Sequence, residues 1–326
     1  MAVLAIYNYQ FAKIIKKSQE GMIFPDDGLD MDAQASFPKR QEIFGDVLGK
    51  DFRNKERIHF CSRYSGDKEF IHGYITEPQD DIYVLRIANK RTTTIVTEDL
   101  KERSVDDYQN CIVIIDNRPG IQRILIEDKK SAFSNTKQVG RILEYTFNRM
   151  LNRYGLKIEL MHLQNPKAFW DLTNDKKSYP DGFYKITFHL PHLNLERLRK
   201  VFDKVLVMSR EVFDSDLEWS YKANEGGKLM IDEKNQMQKE LIDWLMKDVG
   251  DENIKLYSNM NKRKPIVVGH DSFLTTAISD RVFKTLEEEA KTKSLFASGA
   301  LDEIKMKTKT GIDLNDTKND QNTNKG

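Results

Sequence analysis

Between residues 57 and 127 the chain passes through short, β-branched-rich apolar segments whose connections are too short for a parallel crossover. The segments are 58–64, 69–76, 82–88, 92–97, 111–116 and 122–127. Turn chemistry separates several of them: Ser65-Gly66-Asp67, Glu77-Pro78-Gln79-Asp80, Ala88-Asn89-Lys90 and Asn117-Arg118-Pro119-Gly120. Parallel neighbours need about a dozen residues or more per return. The pattern therefore predicts an antiparallel meander and excludes a Rossmann-type sheet.

Helices are expected to pack on this meander. A first strand at 3–9 leads through the turn-rich Phe24-Pro25-Asp26-Asp27-Gly28 to a helix over 36–48. Ser134-Asn135 opens a second helix in which Val139, Ile142, Leu143, Phe147, Met150 and Leu151 recur at helical spacing, and Gly155 stops it. A strand over 156–163 completes an N-terminal domain of residues 1–164.

Residues 165–182 carry two prolines, polar runs and Asp181-Gly182, and read as a linker. Beyond it a strand (183–190), a helix (193–208), a hairpin around Asn224-Glu225-Gly226-Gly227, a helix (234–249) and a strand (253–258) follow in order. That is βαββαβ, the order of a ferredoxin-like unit. An extra strand at 266–268 and a helix over 273–291 complete a C-terminal domain, 183–297. The fold class is thus α+β. After Ser298 large apolar residues nearly vanish, so 298–326 is expected to be a disordered tail.

Charge narrows the function only locally. Lys+Arg 52 against Asp+Glu 51 leaves a net +1, so any polyanion contact must come from patches. The basic clusters are Lys262-Arg263-Lys264 after a strand, Lys90-Arg91 topping a hairpin, Lys13, Lys16 and Lys17 after the first strand, and Arg53, Lys55 and Arg57 before another. Interleaved Phe52, Tyr257 and Tyr7 are candidates to stack or to pack. Converging on one face, such clusters make a sequence-independent nucleic-acid footprint; separately, each is a solvated loop.

Catalytic signals are fewer. Asp116 ends one apolar strand and Glu127-Asp128-Lys129 ends the next, a spacing that resembles the Asp…Glu-x-Lys signature of restriction-endonuclease-like nucleases. There, two carboxylates hold Mg²⁺ and the lysine helps activate water. Strand alternation puts Glu127 and Lys129 on one face, yet the same residues are ordinary turn and strand-end chemistry. His189 and His192 have a zinc-like spacing without further ligands nearby, and His59, Cys61 and His72 make a weaker metal constellation. Gly226-Gly227 lacks the helix and lysine of a phosphate loop, and no nucleophile motif is present. Cys61 and Cys111 read as reduced, buried thiols. No cofactor is implied outside the Mg²⁺ alternative.

Residues 1–6 lack a basic leader and no apolar run reaches the ~20 residues of a membrane helix, so a cytoplasmic protein without membrane contact is expected.

The segments YVLRIANKRTTTIV, CIVIIDNRPGIQRILIE, QVGRILEYTFNRML, FYKITFHL and LEWSYKANEGGKLMI, taken in order, give a layout that resembles bacterial phage-exclusion and defence-island proteins of the RexA type. The resemblance spans residues 1–286 in order of elements. It implies DNA binding by a homo-oligomer, a dimer, in an anti-phage setting that includes partner proteins, and it transfers no catalytic residue. A scaffold recognising a phage or host protein is the reading of a different class.

Overall fold

The structure is a computed structural model; it describes residues 2–14, 37–54, 58–63, 68–96, 98–190, 217–249, 254–260, 264–268, 272–289 and 299–309. The chain is mixed α+β and strand-rich, and it divides into two units. The first comprises residues 1–160 and 275–310, and the second 161–274 and 311–326.

The first unit is built on strands β1 (Ala2–Lys13), β2 (Phe60–Ser62), β3 (Lys68–Tyr74), β4 (Ile82–Val96), β5 (Glu102–Asp116), β6 (Arg123–Glu127), β7 (Leu156–His162) and β12 (Thr275–Ile278). Their order is β12-β1-β6-β5-β4-β3-β2, with β7 also pairing β1. Strands β2 to β6 are antiparallel to their neighbours in sequence order, as their short connections require. The centre is buried on both faces, which explains the unbroken apolar runs of Cys111–Ile115 and Ile124–Ile126.

Helices α1 (Phe37–Asn54) and α2 (Thr136–Leu151) belong to this unit. Asn135 caps α2 by accepting from the Gln138 amide, and Gly155 leaves it at φ 66°, a conformation glycine adopts without strain. Tyr9, Phe11, Phe44, Phe60 and Phe147 meet edge to face, with centroids 5.0–5.8 Å apart. A second cluster joins Leu4, Ile82, Val84, Ile112, Ile114 and Leu125 to Val282 and Phe283 of α5 (Asp280–Glu289) and Leu301 and Ile304 of α6 (Ala300–Thr308).

The second unit has a four-stranded antiparallel sheet, β11-β10-β8-β9, from β8 (Phe183–Leu190), β9 (Leu217–Lys222), β10 (Ile254–Ser258) and β11 (Ile266–Val267). Phe183, Ile186, Phe188, Ile254 and Leu256 form its core with Phe169 and Trp170 of α3 (Lys167–Asn174) and Ile242 of α4 (Gln236–Trp244). Leu245–Val249 extend α4 as a wider π turn that carries Leu245 and Met246 into the same core.

Several expectations are corrected. Residues 165–182 are no linker, because Phe169 and Trp170 are buried in the second unit's core. Residues 275–278, expected in a helix, are strand β12 on β1; Thr275, Thr276 and Ile278 are β-branched. Ala88-Asn89-Lys90 is no turn: β4 runs through it to Val96 and pairs with β5 over its full length. Residues 228–232 form no strand, and β9 pairs directly with β8 where a ferredoxin-like unit has its third strand between them, so that strand order is not found among the described residues. The expected helix 193–208 lies outside them. The supposed tail begins with α6, whose Leu301, Ile304 and Thr308 are buried.

Candidate nucleic-acid interface

The pleat of the second unit's sheet sorts its side chains into two faces. Ile186, Phe188, Trp219, Ile254, Leu256 and Ile266 alternate toward the core. Lys185, Thr187, Ser220, Lys222, Lys255 and Tyr257 therefore share the other face. Register sets Lys222 of β9 directly opposite Lys185 of β8, and Lys185 opposite Tyr257 of β10. Thr187 stands opposite both Ser220 and Lys255 in the next row. Lys222 and Ser220 are exposed, Lys185, Lys255 and Tyr257 are half-buried, and Thr187 is buried.

The row is electrostatically unusual. Like charges directly opposite on neighbouring strands oppose pairing, and among the described residues no carboxylate is paired with Lys185, Lys222 or Lys255. The Lys185 ammonium lies 4.9 Å from the Tyr257 ring centroid, and Tyr184 meets that ring edge-on at 6.1 Å. Asn259 Nδ2 donates to the Asp181 carbonyl at 2.9 Å, fixing the chain where β10 ends.

The same end of the sheet receives part of the sequence-predicted basic set. Asn259 and Met260 leave β10 at the end that carries Tyr257, and exposed Lys264 directly precedes Pro265 and β11. Lys262 and Arg263 fall outside the described residues, as do Lys16 and Lys17. Arg53 stands near the end of α1. Lys90 and Arg91 are brought elsewhere: they lie within β4, in the first unit. Lys90 is paired with Asp106 at 2.7 Å, which holds that carboxylate below its usual range, and Arg91 donates to the Ala132 carbonyl at 3.3 Å. Of the three aromatics, Tyr7 and Phe52 are packed, Tyr7 donating to Thr136 and Phe52 meeting Tyr74 edge to face. Tyr257 is the one in a basic setting.

The nuclease constellation does not assemble. Asp116 is the cross-strand partner of Arg123, so Glu127 lies four positions further along β6, roughly 13 Å away at ~3.3 Å per residue. Asp116 is 0% exposed, and its carboxylate is already occupied. Arg118 donates to it through Nε at 2.9 Å and a terminal nitrogen at 2.7 Å, and Thr308 through its hydroxyl at 2.6 Å. Asn117 beside it accepts from Tyr9 at 2.6 Å and donates to the Gln41 carbonyl. Burial first, and the Asp116 charge second, push the Tyr9 hydroxyl well above its usual range. Glu127 accepts from the Ile112 amide at 2.9 Å, and the Lys129 carbonyl accepts from Ala132 and Phe133. These residues bind the fold together.

The histidines are also apart. His59 is an exposed partner of Glu69, His72 is paired with buried Asp51 at 2.8 Å, and Cys61 accepts from Arg149 at 2.8 Å. His189 is half-buried in β8, and His192 is outside the described residues. No group of three or more His, Cys, Asp or Glu suited to a metal occurs among the described residues. Among them, no helix is long and apolar enough to cross a membrane.

Sequence reasoning missed Lys185, Lys222 and Lys255. Alternation in FYKITFHL, LEWSYK and IKLYS separates them from the core positions, but only register puts them in neighbouring rows. No protein-family model matches the chain, and no curated protein matches it.

Proposed function

We propose that the chain is a non-enzymatic nucleic-acid-binding protein that engages the phosphate backbone with the basic face of its second unit. The observation that carries this reading is the Lys222–Lys185–Tyr257 row, in which two ammonium groups oppose each other beside an aromatic ring. A polyanion relieves that repulsion, and a ring next to it offers a stacking surface for an unpaired base. Lys255 and Lys264 extend the positive field, with Lys262 and Arg263 adjoining it in sequence.

A sheet face with lysines and a tyrosine suits a single strand better than a duplex groove, because a flat face can stack exposed bases. The RexA-type resemblance supplies DNA as the ligand and anti-phage defence as the setting. The test is a titration of labelled single-stranded and duplex DNA with wild type and with Lys262, Arg263 and Lys264 reversed in charge, at two salt concentrations. Weaker binding of the variant, equal across sequences, supports the reading; identical affinity of both proteins removes the loop from the interface.

A further inference from the structure

In the first unit β4 and β5 run on together beyond the rest of the sheet. Strand β3 pairs with β4 at Leu85–Ala88, and β6 pairs with β5 at Val113–Asp116. Past these points, among the described residues, only the β4–β5 ladder continues, out to Val96 opposite Glu102. The ribbon from Asn89 to Val96 is roughly 23 Å long at ~3.3 Å per residue. Its outer part buries nothing: residues 90–96 are exposed, with Val96 at 64% and Leu100 at the tip at 86%. A lone two-stranded ribbon is marginal in water, and a third strand changes that.

The two outer edges differ in chemistry. The β5 edge carries Glu102, Arg103, Asp106 and Asp107, the charged residues that protect an edge from pairing. On β4, Lys68 covers the first part by donating to Asn89 Oδ1 at 2.7 Å. Beyond Arg91 comes Thr92-Thr93-Thr94-Ile95-Val96, uncharged, β-branched throughout, and paired with no strand on its outer side among the described residues. It is the segment of highest strand preference on the ribbon, and it has none of the usual protection.

We infer that this β4 edge pairs antiparallel with the same edge of a second copy, about a two-fold axis at Thr93, to give a continuous sheet β5-β4-β4-β5 across the dimer. Partner positions then sum to 186, because Thr93 faces itself. Thr92 meets Thr94, Arg91 meets Ile95 and Lys90 meets Val96 of the other copy. No like charges oppose each other, threonines hydrogen-bond at the centre, and the aliphatic stems of Lys90 and Arg91 cover the exposed Ile95 and Val96. The alternative β5–β5 pairing brings Asp106 and Asp107 of both copies together. A two-fold contact of one edge with itself closes and does not propagate into fibres.

The experiment measures the mass of the full chain by sedimentation over a concentration series, for wild type, Thr93→Asp, Thr93→Lys and their equimolar mixture. Thr93 is exposed, so both variants keep the fold, checked by circular dichroism. Wild type dimerises; each variant alone, with like charges at the axis, associates roughly tenfold more weakly or less still; the mixture recovers the dimer. In parallel, Thr93→Cys forms an interchain disulfide and Ser104→Cys does not, Cys61 and Cys111 being buried. A monomeric wild type, variants that dimerise like wild type, or cross-linking through Ser104 in place of Thr93 overturns the proposal.

Discussion

Lys185 and Lys222 are cross-strand partners on β8 and β9, two lysines on one face of a sheet, and among the described residues no carboxylate is paired with either. A pairing chosen for stability alone would put opposite charges there. Lys222→Glu is therefore expected to raise the unfolding free energy measured in urea by ~0.2–1 kcal/mol, while weakening DNA binding. A variant that is both less stable and unaffected in binding would show the pair to be structural.

The Asp116–Arg118–Thr308 cluster ties α6 to the end of β5. Removing the cation leaves the fully buried Asp116 carboxylate without its charge partner, so Arg118→Ala should cost ~3–5 kcal/mol. Thr308→Val, which removes a hydrogen bond to a charged group, should cost ~1.5–3 kcal/mol. Equilibrium denaturation checks both. In the same variants DNA affinity should be unchanged at temperatures where they are folded.

Burial, and then the neighbouring Glu127 carboxylate, push the Cys111 thiol up to about 12. Reactivity follows the thiolate, and Cys61 is buried too. A colorimetric thiol reagent at mildly alkaline pH should find neither group in the folded protein and both in denaturant. Rapid labelling of the native chain would contradict the packing of both strands.

Burial raises the Glu144 carboxyl above its usual value, against the opposing hydrogen bond from the Leu160 amide. A carboxyl raised on folding binds its proton more tightly folded than unfolded. Stability from this group is therefore lost as pH rises from the unfolded value through the folded one. Glu144→Gln keeps an oxygen for the Leu160 amide and removes the buried charge. It should stabilise the protein near neutral pH, with the gain shrinking at acidic pH; denaturation midpoints at the two pH values decide.

The sequence carried local structure well where one signal acted alone. Asn135 and Gly155 bracket α2 through capping chemistry that needs no tertiary partner. It misled where two signals competed. Asn89-Lys90 is a common turn pair, yet β4 passes straight through it because β5 pairs with it along its whole length. Prolines and polar runs made 165–182 look like a connector, but the burial of Phe169 and Trp170 decided otherwise. The scarcity of large apolar residues after Ser298 suggested a disordered tail, although Leu301 and Ile304 supply an apolar face for α6. The candidate site was legible only in part. Tyr257 stood out as an aromatic among basic residues, whereas Lys185 and Lys222 are thirty-seven positions apart and meet only through register.

The central claim is that this row binds nucleic-acid phosphate, and the salt dependence of binding by the Lys185→Ala/Lys222→Ala variant tests it most directly. Each phosphate contact contributes ~0.7 to the slope of log affinity against log salt for a single strand and ~0.9 for a duplex. Fluorescence anisotropy with a mixed-sequence single strand should give wild-type affinity that falls steeply with salt. The double variant should bind more weakly at low salt, with a slope shallower by roughly 1.4, and show the same loss on unrelated sequences. A variant with wild-type affinity and slope, or a wild type that binds no DNA at the lowest salt, would contradict the account.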